Sequence, residues 1–264
     1  YKLLSEVKNL GKVISVVNQK GGVGKTTSAV NIAAGLGIKG KKVLLVDIDP
    51  QGNSTSGYGI NKREIKKSSY DLLIGNSTAE EVIIHTAFKN VDIIPCNIQL
   101  AGAEVEMIDL DGRESLLKRG IVTVVDKYDF VLLDCPPSLG LITINALCAS
   151  DTLLVPVQCE YYAMEGLSQL MATVRQVKRM YNGTLELEGV LLTMFDGRLN
   201  LTQQVVGELK KFFPDKLFKT AIPRSVRLSE APSYGMPIQY YDKKSKGADA
   251  YIDVAKEIIK KNRR

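Results

Sequence analysis

The sequence predicts an α/β fold in which a doubly wound, mostly parallel β-sheet carries helices on both faces. Two observations support this prediction. Short apolar runs typical of strands buried on both faces recur along the chain, and stretches with helical periodicity separate them. The 264 residues suffice for one large α/β domain, and no linker, repeat or low-complexity segment divides them. We therefore predict a short extension over residues 1–11 and a single domain over residues 12–264.

The first strand runs directly into a glycine-rich loop. The apolar run 13–17 precedes Asn-Gln-Lys-Gly-Gly-Val-Gly-Lys-Thr-Thr at 18–27, and a helix with apolar residues at i, i+3, i+4 and i+7 follows. Because glycine lacks a Cβ, the loop backbone can adopt positive φ and bring N–H groups close to an anion, which the helix N-terminus also attracts. The pattern predicts a P-loop that binds a nucleoside triphosphate through Gly21, Gly22, Val23, Gly24, Lys25, Thr26 and Thr27.

The loop carries a lysine at each end, which departs from the standard motif. Lys25 is expected to reach the β- and γ-phosphates, and Thr26 to place its hydroxyl on Mg²⁺. The standard first glycine falls on Gln19, and a second lysine, Lys20, follows it. Two lysines exceed what one triphosphate held by Mg²⁺ and a helix end needs. We therefore predict that Lys20 serves a phosphate elsewhere, such as one bound to a neighbouring copy of the protein.

The second strand, at 43–46, ends in two aspartates. Asp47 and Asp49 are two residues apart, so both side chains point to the same side and can face the phosphate site. We expect Asp47 to support the Mg²⁺ shell through water and Asp49 to orient the attacking water. Pro50 and Gly52 then end the strand.

The middle of the chain supplies a further acid. The pattern predicts two short helical pieces at 70–75 and 77–85. A third strand at 91–95 and a long, interrupted helical stretch at 101–127 follow. Phe-Val-Leu-Leu-Asp at 130–134 then brings four apolar residues to Asp134. Downstream of a P-loop this indicates a Walker B strand, which delivers a carboxylate to Mg²⁺ at the carboxyl edge of the sheet.

The last third continues the alternation of strands and helices. Strands are predicted at 151–157, 187–195 and 218–223, and helices at 163–179, 201–213 and 248–264. Phe212 and Phe213 are expected to turn inward. The segment 225–238 contains Pro232 and Gly235 and is interpreted as a structured loop.

Composition bounds the function without defining it. Hydrophobic residues make up 45% of the chain and charged residues 24%, and the net charge of +6 permits a polyanion partner without proving one. No C-x-x-C spacing occurs, which fits reduced cytosolic thiols at the four cysteines, Cys96, Cys135, Cys148 and Cys159. The most apolar long stretch, 139–157, contains Asn145 and Asp151 and is a poor membrane span.

Taken together, these motifs resemble those of the ParA/Soj chromosome-partitioning ATPases, which belong to the deviant Walker A class of P-loop NTPases. The likeness rests on four segments, at 20–27, 47–53, 134–137 and 223–233, and covers nearly all residues from Lys12 onward. It implies a Mg²⁺-dependent ATPase that is slow without its partner. The ATP-bound form would be a sandwich homodimer that binds double-stranded DNA non-specifically until ParB-stimulated hydrolysis releases it. The resemblance also implies a cytoplasmic, nucleoid-associated protein with the cofactors ATP and Mg²⁺ and no membrane partner.

The resemblance assigns roles to individual positions. Lys20 would cross to the phosphates of the other subunit, and Asp49 would be the acid needed for hydrolysis. Met194 and Pro223 would flank the adenine. Two sets complete the assignment: the catalytic residues Lys20, Lys25, Asp49 and Asp134, and the metal-binding residues Thr26, Asp47 and Asp134. DNA binding is implied for Arg198 and Arg227, and we add the neighbouring basic cluster of Lys243, Lys244 and Lys246.

Three alternatives belong to other classes. A MinD-like membrane-associated positioning ATPase shares the loop and the acids, but its C-terminal amphipathic helix would have to lie on lipid. Here the stripe at 248–264 lacks Phe and Trp and is better explained by docking on the domain. A nitrogenase-reductase-like carrier would hold an Fe–S cluster through cysteines such as Cys96 and Cys135, yet Cys135 directly follows Asp134, unlike that family's spacing. A plasmid-type ParA would carry an N-terminal helix-turn-helix domain, for which about a dozen residues are too few.

Overall fold

A computed structural model describes residues 11–263 of the chain. The extension expected over residues 1–11 therefore lies almost entirely outside the described residues. Seven strands are present in the described part: β1 (Lys12–Val16), β2 (Val43–Asp47), β3 (Ile84–His85), β4 (Val91–Ile94), β5 (Phe130–Asp134), β6 (Thr152–Gln158) and β7 (Glu186–Thr193). They form one sheet in the order β3-β4-β2-β5-β1-β6-β7, in which β3 alone is antiparallel to its neighbour.

Helices cover both faces of this sheet. The α-helices are α1 (Lys25–Ile38), α2 (Asn53–Gly57), α3 (Ser69–Leu73), α4 (Ala79–Val82), α5 (Leu100–Glu106), α6 (Leu116–Ile121), α7 (Leu141–Ala149), α8 (Ala163–Met180), α9 (Asn200–Phe212), α10 (Val226–Glu230), α11 (Ile238–Tyr241) and α12 (Lys246–Lys261). Short 3₁₀ helices occupy Arg113–Ser115, Val125–Lys127 and Ala231–Tyr234.

The strands separate two hydrophobic cores because successive side chains point to opposite faces. Ile14 and Leu45 face a core shared with α1, α10, α11 and α12. Val13 and Leu44 face a second core shared with α3 to α9. This arrangement confirms the predicted fold class, a doubly wound, mostly parallel sheet with helices on both faces.

The sheet topology places the glycine-rich loop at a switch point. β1 pairs with β5 on one side and with β6 on the other, all in parallel. The chain moves to one side of β1 through β2 and to the other through β6 and β7. In doubly wound sheets, ligands bind outside the carboxyl ends of the strands at such a point. The segments that follow β1, β2 and β5 are thereby brought together at one edge.

The first six predicted strands are confirmed, but the prediction of a strand at 218–223 is wrong. The segment is joined to β7 only near its two ends, where the Phe218 and Ile222 backbone N–H groups donate to the Val190 and Leu192 carbonyls, at 3.0 and 2.8 Å. Between them, Glu257 of α12 accepts hydrogen bonds from the backbone N–H groups of Lys219 and Thr220, at 3.0 and 2.9 Å. Because these donors are bonded to a helix side chain, the segment does not form a continuous ladder with β7.

Other local predictions also need correction. The helical piece expected at 77–85 is helical only at Ala79–Val82, and Ile84–His85 pairs antiparallel with β4 as the edge strand. The structured loop expected at 225–238 contains α10 and a 3₁₀ turn that starts near Pro232. Phe212 is 66% exposed rather than turned inward, because Val205 and Leu209 form the buried face of α9.

The last helix docks on the domain, as the sequence indicates. Tyr251, Val254, Ala255 and Ile258 of α12 are buried in the core that contains α1. The hydroxyls of Ser28 and Tyr251 are also hydrogen-bonded, at 3.1 Å. Every helix within residues 11–263 is too short or too polar to cross a membrane.

Candidate nucleotide site

The glycine-rich loop connects β1 to α1 in a conformation that only glycine adopts readily. Gly22 and Gly24 have φ of 73° and 83°, in the left-handed region, and Gly24 caps the N-terminus of α1. The Thr193 hydroxyl, at the end of β7, donates a 2.8 Å hydrogen bond to the Val23 carbonyl. The loop is thus held at the helix N-terminus, where partial positive charge favours an anion.

Lys25, the second lysine of the loop, is buried at the start of α1. Its Nζ donates a 3.0 Å hydrogen bond to the backbone carbonyl of Lys20. Burial lowers the pKa of Lys25, while the nearby carboxylates of Asp134 and Asp49 oppose this shift. A buried ammonium beside acids and a glycine loop is suited to a multiply charged phosphate ligand.

Asp47 and Asp134 lie opposite each other in the register of β2 and β5, and neither is exposed to solvent. Asp47 accepts hydrogen bonds from the Thr55 backbone N–H and hydroxyl, at 2.8 and 2.7 Å. Asp134 Oδ2 accepts a 2.8 Å bond from the Ser54 hydroxyl, but Asp134 Oδ1 is buried without a partner. The first turn of α2 therefore orients both acids.

Burial dominates the ionisation of this pair. It raises the pKa of Asp134 to about 8, with the charge of Asp47 adding to the effect. It raises the pKa of Asp47 to about 6, although the hydrogen bonds from Thr55 oppose the shift. Two carboxylates this close and this dry resist ionising together unless a cation offsets their charge.

The residues present fit Mg²⁺. The cation commonly takes one or two protein carboxylates together with substrate phosphates and water. The unpartnered Asp134 Oδ1 offers such an oxygen, and the Thr26 hydroxyl lies close enough to lower the pKa of Asp134. The structure thus brings together the three predicted metal-binding residues, Thr26, Asp47 and Asp134.

A cavity of about 540 Å³ opens beside the loop, which is ample for a nucleotide. Its lining includes the loop glycines, Lys25 and Thr26 and also Met194 and Pro223. Met194 has a φ of 47°, which is unusual for a residue with a side chain. The two positions expected to flank the adenine therefore line the same cavity as the phosphate loop.

Asp49 is buried and lines this cavity, as expected for a residue that orients water near the phosphates. Its Oδ1 accepts a 2.9 Å hydrogen bond from the Gln51 backbone N–H. That bond lies in the turn after β2, and the charge of the carboxylate acts on Lys25 of the loop.

Lys20 has a different environment from Lys25. Its Nζ forms an ion pair with Glu160 of the same chain, and the two side chains are 35% and 44% exposed. Lys20 is absent from the described residues that line the cavity. The two lysines of the loop therefore have separate partners, one inside the site and one at its edge.

Sequence reasoning missed several residues of this site. Ser54 and Thr55 orient the acids. Thr193, at the end of the edge strand β7, donates a hydrogen bond to the loop. The run Asn-Ser-Thr-Ser at 53–56, directly after the paired aspartates, was a usable signal because short hydroxyl side chains suit buried carboxylates. No local signal marked Thr193.

The predicted DNA-binding residues lie at the surface, and the two arginines among them are paired with acids. Arg198 donates to Asp196 through Nε and Nη2, at 2.8 and 2.6 Å, and this fork lowers the pKa of Asp196 to about 2. Arg227 donates to Glu230 at 3.0 Å and lies 3.6 Å from Asp242. The latter contact brings Arg227 to the exposed basic cluster of Lys243, Lys244 and Lys246, whereas Arg198 lies on the loop after β7.

Cys96 and Cys135 are fully buried, and burial raises the pKa of both thiols. Neither thiol is at a surface that a second subunit could reach, so the arrangement does not favour a shared Fe–S cluster.

The order of strand, glycine loop and helix at the centre of the sheet, with a buried acid at the end of β5, defines a P-loop NTPase. A domain family described as an AAA domain matches residues 11–187. The chain is 57% identical to the sporulation initiation inhibitor protein Soj of Bacillus subtilis over 249 residues, which are 94% of this chain and 98% of that protein. It is 48% identical to the chromosome-partitioning ATPase Soj of Treponema pallidum, over 95% of this chain and 98% of that one.

Among solved structures, a cobyrinic acid a,c-diamide synthase of Mycobacterium smegmatis with bound ATP analogue and magnesium is similar, with a TM-score of 0.86. It is 35% identical, over 95% of both chains. The identity to the partitioning proteins is higher and spans nearly the whole chain. The chain belongs to the ParA/Soj family of chromosome-partitioning ATPases, and its cofactors are ATP and Mg²⁺.

Proposed function

We propose that this protein is a DNA-partitioning ATPase whose ATP-bound form is a sandwich homodimer that binds DNA non-specifically. A ParB-like partner stimulates hydrolysis, which releases the dimer from DNA. In this proposal residues 12–264 act as one ATPase domain, and the protein works in the cytoplasm on the nucleoid. The observation that carries the proposal is the separation of the two loop lysines: Lys25 lies inside its own site, whereas Lys20 lies at the rim, outside the cavity.

Within one subunit, the loop backbone and Lys25 bind the β- and γ-phosphates. Thr26 and Asp134 would hold Mg²⁺, and Asp47 would support it through water. When bound, Mg²⁺ offsets the phosphate charge. Asp49 orients the attacking water, while Met194 and Pro223 flank the adenine. Part of the negative charge of the triphosphate remains without a positive group beside it at the subunit surface. This favours the approach of a second subunit, which brings its own Lys20.

The DNA-binding surface consists of exposed cations from both subunits. Arg198, Arg227, Lys243, Lys244 and Lys246 would form a track for phosphates in the dimer. Each subunit alone offers few contacts, so pairing doubles the number of phosphates neutralised and makes binding depend on ATP. Such contacts carry no sequence information, which makes the binding non-specific.

Hydrolysis without a partner is expected to be slow. Negative charge that develops on the transferred phosphoryl group would be met by Lys25, by Lys20 of the partner copy and by the loop N–H groups. The glycine-rich loop itself contains no arginine that could act as a finger, and the arginine that lines the cavity, Arg224, lies next to Pro223 in sequence rather than in the loop. This leaves room for stimulation by a ParB-like protein.

Gel filtration and DNA binding with ATP against ADP test this proposal. We expect a dimer that binds DNA only with ATP. Lys20→Ala should lower ATP-dependent dimerisation far more than ATP binding. Equal loss of both would contradict the crossing role of Lys20, and dimerisation with ADP would contradict the cycle.

A MinD-like membrane role finds no support in the last helix. The apolar residues of α12 are packed against α1, so its buried face is not available for lipid. Co-sedimentation with anionic liposomes and ATP tests this directly, and we expect the protein to stay in the supernatant.

A further inference from the structure

The ion pair between Lys20 and Glu160 joins two distant parts of the chain. Glu160 lies in the short connection between β6 and α8, 140 residues from Lys20. Both side chains are partly exposed, so solvent and salt screen the pair in part.

Neighbouring hydrogen bonds specify this position of Lys20. The Asn18 side chain donates to the Pro156 carbonyl of β6 at 2.8 Å and accepts from the Lys20 backbone N–H at 3.0 Å. The side chain of Gln19 also donates to Gln169 of α8. The start of the loop is therefore bonded to β6 and α8 on both sides of Glu160.

The ammonium of Lys20 cannot serve its own Glu160 and the phosphates of another subunit at once. We propose that Glu160 is a positioning residue that holds Lys20 within the subunit and opposes ATP-dependent pairing of two copies. This inference rests on the proposed crossing role of Lys20. The ion pair with Glu160 would hold Lys20 until a stronger anion replaces the carboxylate. That anion would be a triphosphate bound in the facing subunit.

A second contact links this exchange to the subunit's own site. The Lys25 ammonium donates to the Lys20 carbonyl. A phosphate that binds the Lys25 ammonium competes with the Lys20 carbonyl for this donor. The Lys20 backbone would then lose one of the hydrogen bonds that hold it in place. Filling the subunit's own site thus makes Lys20 easier to release, so both sites of a dimer favour the exchange.

The expected effect is modest, because a partly exposed ion pair contributes little. Two such pairs must break for each dimer formed, which corresponds to roughly a two- to thirty-fold effect on association. Screening by salt should shrink the effect, since both groups contact solvent.

The experiment compares Glu160→Gln with Glu208→Gln in the full chain, using sedimentation velocity with a non-hydrolysable ATP analogue. Glu208 is a matched control because it is also a partly exposed glutamate in an ion pair with a lysine, but its partner is Lys211 of α9 rather than Lys20. We expect Glu160→Gln to strengthen association about two- to thirty-fold at low salt and Glu208→Gln to leave it unchanged. Glu160→Ala should act in the same direction, and melting temperatures check that all variants are folded.

A double-mutant cycle separates this inference from the proposed function. In a Lys20→Ala background, Glu160→Gln should no longer change association. If Glu160→Gln weakens association or leaves it unchanged while Lys20→Ala abolishes it, the holding role of Glu160 is wrong and the crossing role stands. If Lys20→Ala associates like the unmodified protein, the crossing role itself is wrong.

Discussion

The acids at the carboxyl ends of β2 and β5 and the arginines of the proposed DNA surface are organised in opposite ways. Asp47 and Asp134 are fully buried and are oriented by hydroxyl groups of α2. Arg198 and Arg227 are exposed and pair with acids two or three residues away in sequence. The acids are positioned by residues that the fold brings together. The arginines are positioned mainly by acids close to them in sequence.

This difference separates two kinds of ligand recognition. A buried cluster is preorganised, so one altered group leaves the others uncompensated in a dry environment, and the effect is large. An exposed arginine exchanges its carboxylate for a phosphate at little cost, so each contributes modestly and in a salt-dependent manner. Substitutions in the two regions should differ in size and in their response to salt.

The largest effect is expected for Asp49→Ala. Loss of the group that orients water should lower hydrolysis by about 10²- to 10⁴-fold. ATP binding should persist, because the loop and Lys25 are unchanged, so the variant should stay on DNA as an ATP-bound dimer. Phosphate release and DNA retention measure the two properties, with the exposed Asp253→Ala as control. Undiminished turnover would reassign the role of Asp49.

Asp134→Asn should stabilise the protein in the absence of Mg²⁺. The pKa of Asp134 is raised from 3.8 to about 8 on folding, so the folded protein holds this proton more tightly than the unfolded chain does. The stabilisation is complete below pH 4 and is lost as the pH rises towards 8. In EDTA at pH 8, the variant should therefore be more stable by about 1–3 kcal/mol, because a buried charge has been removed.

Urea denaturation at pH 5 and pH 8 measures this effect. The unmodified protein should lose more stability between these values than Asp134→Asn does. A variant that is less stable than the unmodified protein at pH 8 would show that burial does not dominate at this acid.

Arg227→Ala should change the salt dependence of DNA affinity and leave the ATPase activity unaffected. If each subunit loses one phosphate contact, the slope of the logarithm of affinity against that of salt concentration should fall by roughly two for the dimer. Fluorescence anisotropy with DNA of random sequence gives this slope, and ATP hydrolysis without DNA should not change. A slope equal to that of the unmodified protein would place the DNA surface elsewhere.

The smallest effect is expected for Asp196→Asn, which removes the acid that pairs with Arg198. Freed from this competitor, Arg198 should bind phosphate slightly better, by at most about fivefold per subunit, because exposed ion pairs contribute little. The same anisotropy assay applies, with Asp215→Asn as an exposed control. Weaker DNA binding by Asp196→Asn would mean that the acid positions Arg198 instead of competing for it.

The sequence predicted what depends on contiguous residues. The glycine loop, the strand that ends at Asp134 and the pair Asp47 and Asp49 each form a short local pattern, and the structure places all of them at one edge of the sheet. These patterns also sufficed for the fold class, since alternation of strands and helices constrains topology strongly.

Long-range pairings were beyond such patterns. Glu257 of α12 bonds the backbone near Thr220 and prevents the expected strand at 218–223. The partner of Lys20 is farther still in sequence, 140 residues away. In both cases a polar side chain reaches a segment whose own pattern gives no sign of it, and only the packed fold brings the two together.

The packing of α12 on α1 extends the reach of the phosphate site to the other end of the described chain. The helix that presents its N-terminus to the ligand is buttressed by Tyr251, whose hydroxyl bonds Ser28 one turn beyond the glycines. Slow hydrogen exchange should therefore involve the amides of both helices as one cooperative unit, and nucleotide should protect the amides of α12, a segment more than 200 residues away in sequence from the loop.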